Sequence, residues 1–349
     1  MLTIKQMLGL SLIKVTEKNK QNFIAAIHEI NALDEVELDF QQLLLFVEKY
    51  IVMNNAASEL QSALERAADI AAYVDNHQIH VVSIIDQRYP QNLNGIGNQP
   101  IVLYVKGNDG LFNHELSISI IGTREPAERA RNYAYAFAKN MANQDVVVVS
   151  GLAVGCDTFA HEGTLSETDG ITIAVLAHGL DMVHPDSNKL LAKKIIDNGG
   201  CLVSEYPPGT KLEGWQLLAR NRIITALTQA TVVIQADKII RSGTMAAARV
   251  CIAQKKTLMC IDPYTLDPDN IAKYKGSLEI LKISAQITKV NGATADHTLN
   301  DLLEKPANVQ RLITNYFTIL SGSNKSKKRV LNHSQPKEKR KKPKKVLGV

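Results

Sequence analysis

Three short stretches gather small residues, hydroxyls and cations in the way an anion-binding surface requires. Gly122, Thr123 and Arg124 follow the apolar run SISII. Ser150 and Gly151 end the run VVVV and lead to Gly155, Cys156 and Asp157. Arg241, Ser242 and Gly243 precede the small-residue segment TMAAA. Glycine lets the backbone turn tightly or approach a ligand. A Ser-Gly pair opening a helix presents unpaired N–H groups at the positive end of the helix dipole. A fourth stretch, WQLLARNRII, sets Arg220 and Arg222 on either side of Asn221. Guanidinium forks match phosphate oxygens two at a time, but two arginines two residues apart do not share a helix face. One can reach a ligand while the other points elsewhere, and an internal ion pair with Glu205 or Asp157 is the competing reading. For each loop alone the competing reading is an ordinary strand-to-helix turn. Three such loops on one sheet, with cations beside them, favour a phosphate site.

Other chemistries fit less well. No GxGxxG follows any strand-like run, and GLAVG places three residues between its glycines. No GxxxxGK[ST] occurs either, which argues against a nucleoside-triphosphate engine. His161 lies four residues after Asp157, but no further ligand-type cluster recurs at metal spacing. A buried histidine hydrogen-bonded to Asp157, both supporting the loop, is the better reading. Ser150 and Ser242 have no base nearby in sequence, and no nucleophile stands out. Cys156, Cys201, Cys251 and Cys260 form no CxxC pair and read as buried free thiols in a reducing compartment. No cofactor, metal or catalytic turnover is expected.

The elements that must position these loops alternate regularly. Strand-like runs at 116–121, 146–149, 171–176, 201–203, 231–234 and 257–261 are separated by helical patterns at 126–143, 158–167, 187–198, 215–227 and 244–253. This alternation predicts an α/β fold, a Rossmann-like and mostly parallel sheet covered on both faces; the strand order does not follow from it. Residues 1–78 read as a helical module, with apolar residues three and four apart. Residues 79–262 form the core, whose first part, to Gly107, reads as two short lead-in strands. Residues 263–320 read as a small, mostly helical segment that includes a helical pair broken at Pro306, and 321–349 as a basic tail, disordered when free.

Charge divides the same way. Of 40 basic and 35 acidic residues, eleven basic and one acidic fall between Lys325 and Lys345, which leaves the remaining chain with 29 basic and 34 acidic. The body is mildly acidic, so only a local patch can hold a polyanion there. No run reaches the ~18 apolar residues that span a bilayer, and the opening residues carry no sustained apolar core. A cytoplasmic protein without a membrane partner is expected.

Taken together, IIGTREP (120–126), VVSGLAVGCDTFAHEGTL (148–165), GITIAVLAHGLDMVHPDSNKLL (170–191), CLVSEYPPG (201–209), RNRIITALTQATVVIQA (220–236) and SGTMAAARVC (242–251) resemble the bacterial DNA-processing protein A family, DprA/Smf. The resemblance covers roughly 115–262, with a weaker match over DQRYPQNLNGIGNQPIVLYVKG (86–107). It implies a Rossmann-like domain that binds single-stranded DNA without base specificity, forms a homodimer and loads a RecA-type recombinase during natural transformation, with no enzymatic turnover. It also implies that Arg124, Arg220 and Arg222 line a positive pocket with Ser242 and Gly243, and that Arg241 supplies a cation where the family often has Lys. Two departures stand out. Gln235 occupies a position usually held by Glu, and IDPYTLDPDNIAKYKGSLEIL replaces the family's proline-glycine turn and the loop after it. The family's frequent winged-helix domain gives way to a short helical piece and the lysine tail.

Two other functions remain open on sequence. One is an enzyme acting on a nucleotide; the other is a sensor of a free nucleotide using the same pocket. The enzyme would be expected to carry a PGGxGTxxE-type loop, and RSGTMAAA lacks both its second glycine and its glutamate. Phosphate gripping needs N–H donors and cations rather than base readers. Tyr104, Tyr206 and Trp215 are the available stacking candidates, each readable instead as core or rim.

Overall fold

A computed structural model describes residues 2–32, 38–50, 55–283, 287–293 and 295. The Pro306 helical pair and the basic tail lie outside the described residues. The described residues lie within one compact unit.

Four helices come first: α1 (Ile4–Leu12), α2 (Glu17–Ala32), α3 (Phe40–Tyr50) and α4 (Ala56–Asn76). Thr3 starts α1 with a reciprocal capping box to Gln6. The apolar spacing read from the sequence becomes a buried seam, with Phe23 of α2 stacked on Phe46 of α3 at 5.3 Å. The strands β1 (His80–Ser83) and β2 (Val102–Gly107) follow. They are more than a lead-in, because they belong to the main sheet: β1 pairs antiparallel with β2, and β2 antiparallel with a core strand, β6.

The core then alternates β3 (Ser117–Ile121), α5 (Glu128–Ala142), β4 (Val147–Ser150), α6 (Cys156–Thr164), β5 (Thr172–Val175), α7 (Lys189–Asp197), β6 (Cys201–Ser204), α8 (Gly214–Ala226), β7 (Ala230–Val233), α9 (Gly243–Ala253) and β8 (Thr257–Ile261). Every residue of β3 to β7 is buried. Strands covered on both faces read as near-continuous apolar runs, and the buried hydroxyls that interrupt these, Ser117, Ser119, Ser150, Thr172, Ser204 and Thr231, are hydrogen-bonded within the protein. Each buried Val, Ile or Leu stabilises the sheet by roughly 1.5–3 kcal/mol. Two short helices, α10 (Pro263–Leu266) and α11 (Lys275–Ile283), and a last parallel strand, β9 (Thr288–Val290), complete the described chain.

The nine strands run β1-β2-β6-β5-β4-β3-β7-β8-β9, and all neighbours from β6 to β9 are parallel. The chain starts in the middle at β3, moves outward to β6, then returns to β7 and moves the other way. Helices α5 and α6 pack together, as do α8 and α9. With right-handed crossovers, reversing the direction of travel puts the second pair on the opposite face. The loops after β3 and β7 therefore diverge, and a crevice opens beyond the carboxyl ends of these two adjacent strands.

Candidate functional site

The crevice is a cleft of 430 Å³. The loop after β3 lines it with Gly122, Thr123 and Arg124, and the loop after β7 with Lys238 and Arg241. The start of α9 contributes Ser242 and Gly243, and α8 contributes Arg220.

Arg124 is exposed and has no hydrogen-bond or ion-pair partner among the described residues. Arg220 differs, being only 5% exposed. Its Nη1 donates to the Val175 carbonyl at the end of β5, while its Nε finds no partner. Burial pulls its pKa down, Asp157 pushes it up, and Arg124 pulls it down again. Two guanidinium groups thus repel each other across one wall, an arrangement that an anion relieves. Arg241 is held at φ 52°, a conformation that non-glycine residues rarely take. Ser242 caps α9, its hydroxyl accepting from the Met245 N–H at 3.3 Å. The earlier N–H groups of α9 have no helical carbonyl to reach.

Asp157 turns to its own loop, where Oδ2 accepts from the N–H groups of Gly151 (3.2 Å) and Ala153 (3.4 Å). Burial raises its pKa, opposed by the nearby Arg220 charge. Gly155, at φ 88°, makes the turn that lets the Cys156 N–H donate to the Thr123 carbonyl at 3.1 Å. A Cβ at Gly155 would stand 2.4 Å from that carbonyl oxygen. The second loop is thereby fastened to the first.

Four other residues serve the fold from places the sequence alone did not settle. Ser150 is fully buried in β4 and donates to the Ile120 carbonyl at 2.7 Å. Gly151 is covered by the Arg220 guanidinium. Arg222 uses all five donors internally: Nη1 and Nη2 grip the Glu205 carboxylate at 2.7 and 2.5 Å, Nε and Nη2 reach the Asn98 carbonyl, and Nη1 also reaches Ala219. The two arginines therefore leave opposite faces of α8, with Arg220 at the cleft and Arg222 as a structural clasp. His161 does not bond to Asp157. Its Nδ1 meets the Thr172 hydroxyl at 2.8 Å, because its side chain lies across β5 instead of along the loop. Burial lowers its pKa to about 3.

Two further residues belong to the cleft, and a third acts otherwise than its sequence context suggested. Lys238 is a cation four residues before Ser242, 3.8 Å from the Asp237 carboxylate, legible from charge next to a motif. Asn221 donates to the Gly243 carbonyl at 3.3 Å and ties α8 to α9. Gln235 was read only as a lost carboxylate, but its side-chain amide is engaged with backbone. Of the aromatic residues, Tyr104 is core, Tyr206 is partly buried, and Trp215 is 58% exposed at the start of α8, edge-on to Tyr206 at 6.2 Å.

Among the described residues no group of three or more His, Cys, Asp or Glu could hold a metal. No helix among them is long and apolar enough to cross a membrane.

The chain is 30% identical over 220 residues to the DNA processing protein DprA of Bacillus subtilis, covering 63% of this chain and 72% of that one. It is 31% identical over 186 residues to protein Smf of Escherichia coli, covering 53% of this chain and 48% of that one. The X-ray structure of DprA from Streptococcus pneumoniae superposes with a TM-score of 0.67 at 26% identity, over 83% of this chain and 96% of that one. DNA processing protein A from Helicobacter pylori, solved for its single-stranded DNA binding mode, gives 0.54 at 25% identity, over 70% and 97%. The sequence model of the family described as DNA recombination-mediator protein A matches residues 80–301, well over half the chain and the whole of the cleft, and the chain belongs to that family.

Proposed function

We propose that the protein binds single-stranded DNA through the cleft between the β3 and β7 loops and acts as a recombination mediator without turnover. The observation that carries this is the pairing of Arg124 and Arg220. One guanidinium is free and the other buried with an unsatisfied Nε, and both border the same cleft. Arg241, Lys238 and the first N–H groups of α9 add positive groups along the cleft, partly offset by Glu125 and Asp237. Such a site grips phosphates and reads no base, which suits a strand of any sequence. The relatives support the same reading, since the Helicobacter structure was solved for its single-stranded DNA binding mode. Delivery of the strand to a RecA-type recombinase, action as a homodimer and a place in the cytoplasm complete the proposal, by analogy with the family.

The test is binding to single-stranded DNA, duplex DNA and free nucleotides by wild type and by Arg124→Ala/Arg220→Ala. Preference for single strands and its loss in the double variant are expected. Equal binding by both proteins would overturn the cleft assignment, and tight binding to a free nucleotide alone would replace it with a sensor. Mixing with a RecA-type recombinase on coated single strands, together with sedimentation of the free protein, tests the partner and the dimer.

A further inference from the structure

Both ends of the arch that carries Arg124 hang on one buried residue just past the neighbouring strand. Gln235 lies just beyond β7 and is 1% exposed. Its backbone carbonyl accepts from the Thr123 N–H at 2.8 Å. Its side-chain Oε1 accepts from the Ala127 N–H at 2.8 Å, and its Nε2 donates to the Lys273 carbonyl at 2.9 Å. Thr123 and Ala127 bracket Arg124. On the far side the Ala236 N–H donates to the Ser277 hydroxyl at 2.9 Å, and the Ser277 N–H donates to the Ala236 carbonyl at 3.1 Å. Residues 235–236 therefore join the Arg124 arch to the segment 273–277.

The chemistry required at this point is specific. Ala127 offers a donor and Lys273 an acceptor, and both are backbone groups that cannot be exchanged by mutation. A carboxamide satisfies both without carrying charge, whereas a carboxyl group does so only when it is protonated. A carboxylate accepts at Ala127 but leaves the Lys273 carbonyl facing a buried negative charge. Ala127 has no side chain of its own to cap α5, and no side-chain cap is formed there. Arg124 has no partner to aim it, so the backbone of the arch sets where its guanidinium projects. Gln235 itself does not line the cleft.

We propose that Gln235 is a positioning residue for DNA binding: its amide matches the Arg124 arch to the 263–283 segment of this chain and so places Arg124 over the cleft. The inference rests on the reading that Arg124 contacts the strand. The test measures single-strand affinity against salt for wild type, Arg124→Ala, Gln235→Glu and the double variant. Each phosphate contact on a single strand contributes about 0.7 to the slope of log affinity against log salt. Each single variant is expected to bind roughly tenfold more weakly at low salt, with the slope reduced by about 0.7. The double variant is expected to bind no worse than Arg124→Ala. A variant that is folded but merely loosened elsewhere keeps the wild-type slope. Gln235→Met, which fills the space and can make neither bond, is held to the same criteria and decides the outcome where Gln235→Glu takes up a proton or does not fold. A full slope in the Gln235 variant, or losses that multiply in the double variant, overturns the inference while leaving the cleft in place. No effect of Arg124→Ala overturns both.

Discussion

Gly151 lies directly beneath Arg220. A Cβ on Gly151 would stand 2.1 Å from Arg220 Nη1 and 2.5 Å from its Cζ. The guanidinium cannot withdraw without giving up its bond to the Val175 carbonyl. This glycine therefore makes room for the arginine, whereas its sequence context suggested close approach to a phosphate. Gly151→Ala is expected to bind single-stranded DNA as weakly as Arg220→Ala, with the salt slope lower by about 0.7. A salt titration of the two single variants and the double checks this, and Gly151→Ala binding like wild type would refute it.

Arg222 carries the opposite expectation. It and Glu205 are a buried pair, with side chains only 10% and 14% exposed, and the Arg222 fork also holds the Asn98 carbonyl. Removing one member strands the other, a loss of about 3–5 kcal/mol. Arg222→Ala should therefore lower the urea midpoint sharply, yet bind DNA with an unchanged salt slope wherever it remains folded. A normal midpoint with a reduced slope would return Arg222 to the cleft.

The separation of these two arginines marks the limit of what the sequence shows. Near-continuous apolar runs declare a parallel sheet because a strand covered on both faces has no solvent side, and β3 to β8 lie within a residue or two of their expected places. The Gly122 and Ser242 loops were legible because helix starts and glycine turns have local signatures. Strand order was not, since it depends on which edge each crossover takes. The partners of His161 and Gln235 were hidden for the same reason, and although Glu205 was a named candidate for the arginine pair, which of the two it holds was not legible. Glu205, Thr172 and Lys273 belong to other strands and segments, and no spacing rule within one helix reaches them. The β1–β2 hairpin showed as strands, but only its antiparallel register on β6 reveals that it extends the main sheet.

His161 should leave a mark on the acid side of stability. Its folded pKa is about 3, against an ordinary value of 6.5, because the buried imidazole resists charging. Below pH 6.5 the unfolded chain takes up a proton that the native state refuses, so stability falls as pH drops toward 3, by up to about 1.4 kcal/mol per pH unit. His178 is lowered for the same reason and adds to this limb, whereas the raised Asp157 acts in the opposite sense. The difference between wild type and His161→Asn isolates one group. Urea unfolding at a series of pH values should show a limb shallower by about one proton in the variant, and identical slopes would exclude the assignment.

The basic tail should act on salt dependence rather than on the cleft. Eleven cations between Lys325 and Lys345 can each neutralise a phosphate without any fold. Deleting 323–349 is expected to weaken binding at low salt and flatten the slope, while the Arg124→Ala/Arg220→Ala substitution still abolishes most of the remaining affinity. Unchanged affinity and slope after deletion would leave the tail without a part in binding.

Gly243 separates stability from binding most cleanly. It is the first residue of α9, and a Cβ there would meet nothing within 4 Å. Its backbone is in no conformation that only glycine favours, because no positive φ occurs there. Within the folded chain alone alanine is therefore tolerated, and its lower conformational entropy when unfolded stabilises by up to about 1 kcal/mol. The open space around that position is the cleft itself. A methyl group there intrudes on whatever the first N–H groups of α9 hold. Gly243→Ala is expected to melt at or above the wild-type temperature while losing single-strand affinity, and Gly243→Val to lose more. A variant that is both more stable and fully competent would show that the ligand passes by the arginines without touching the start of α9.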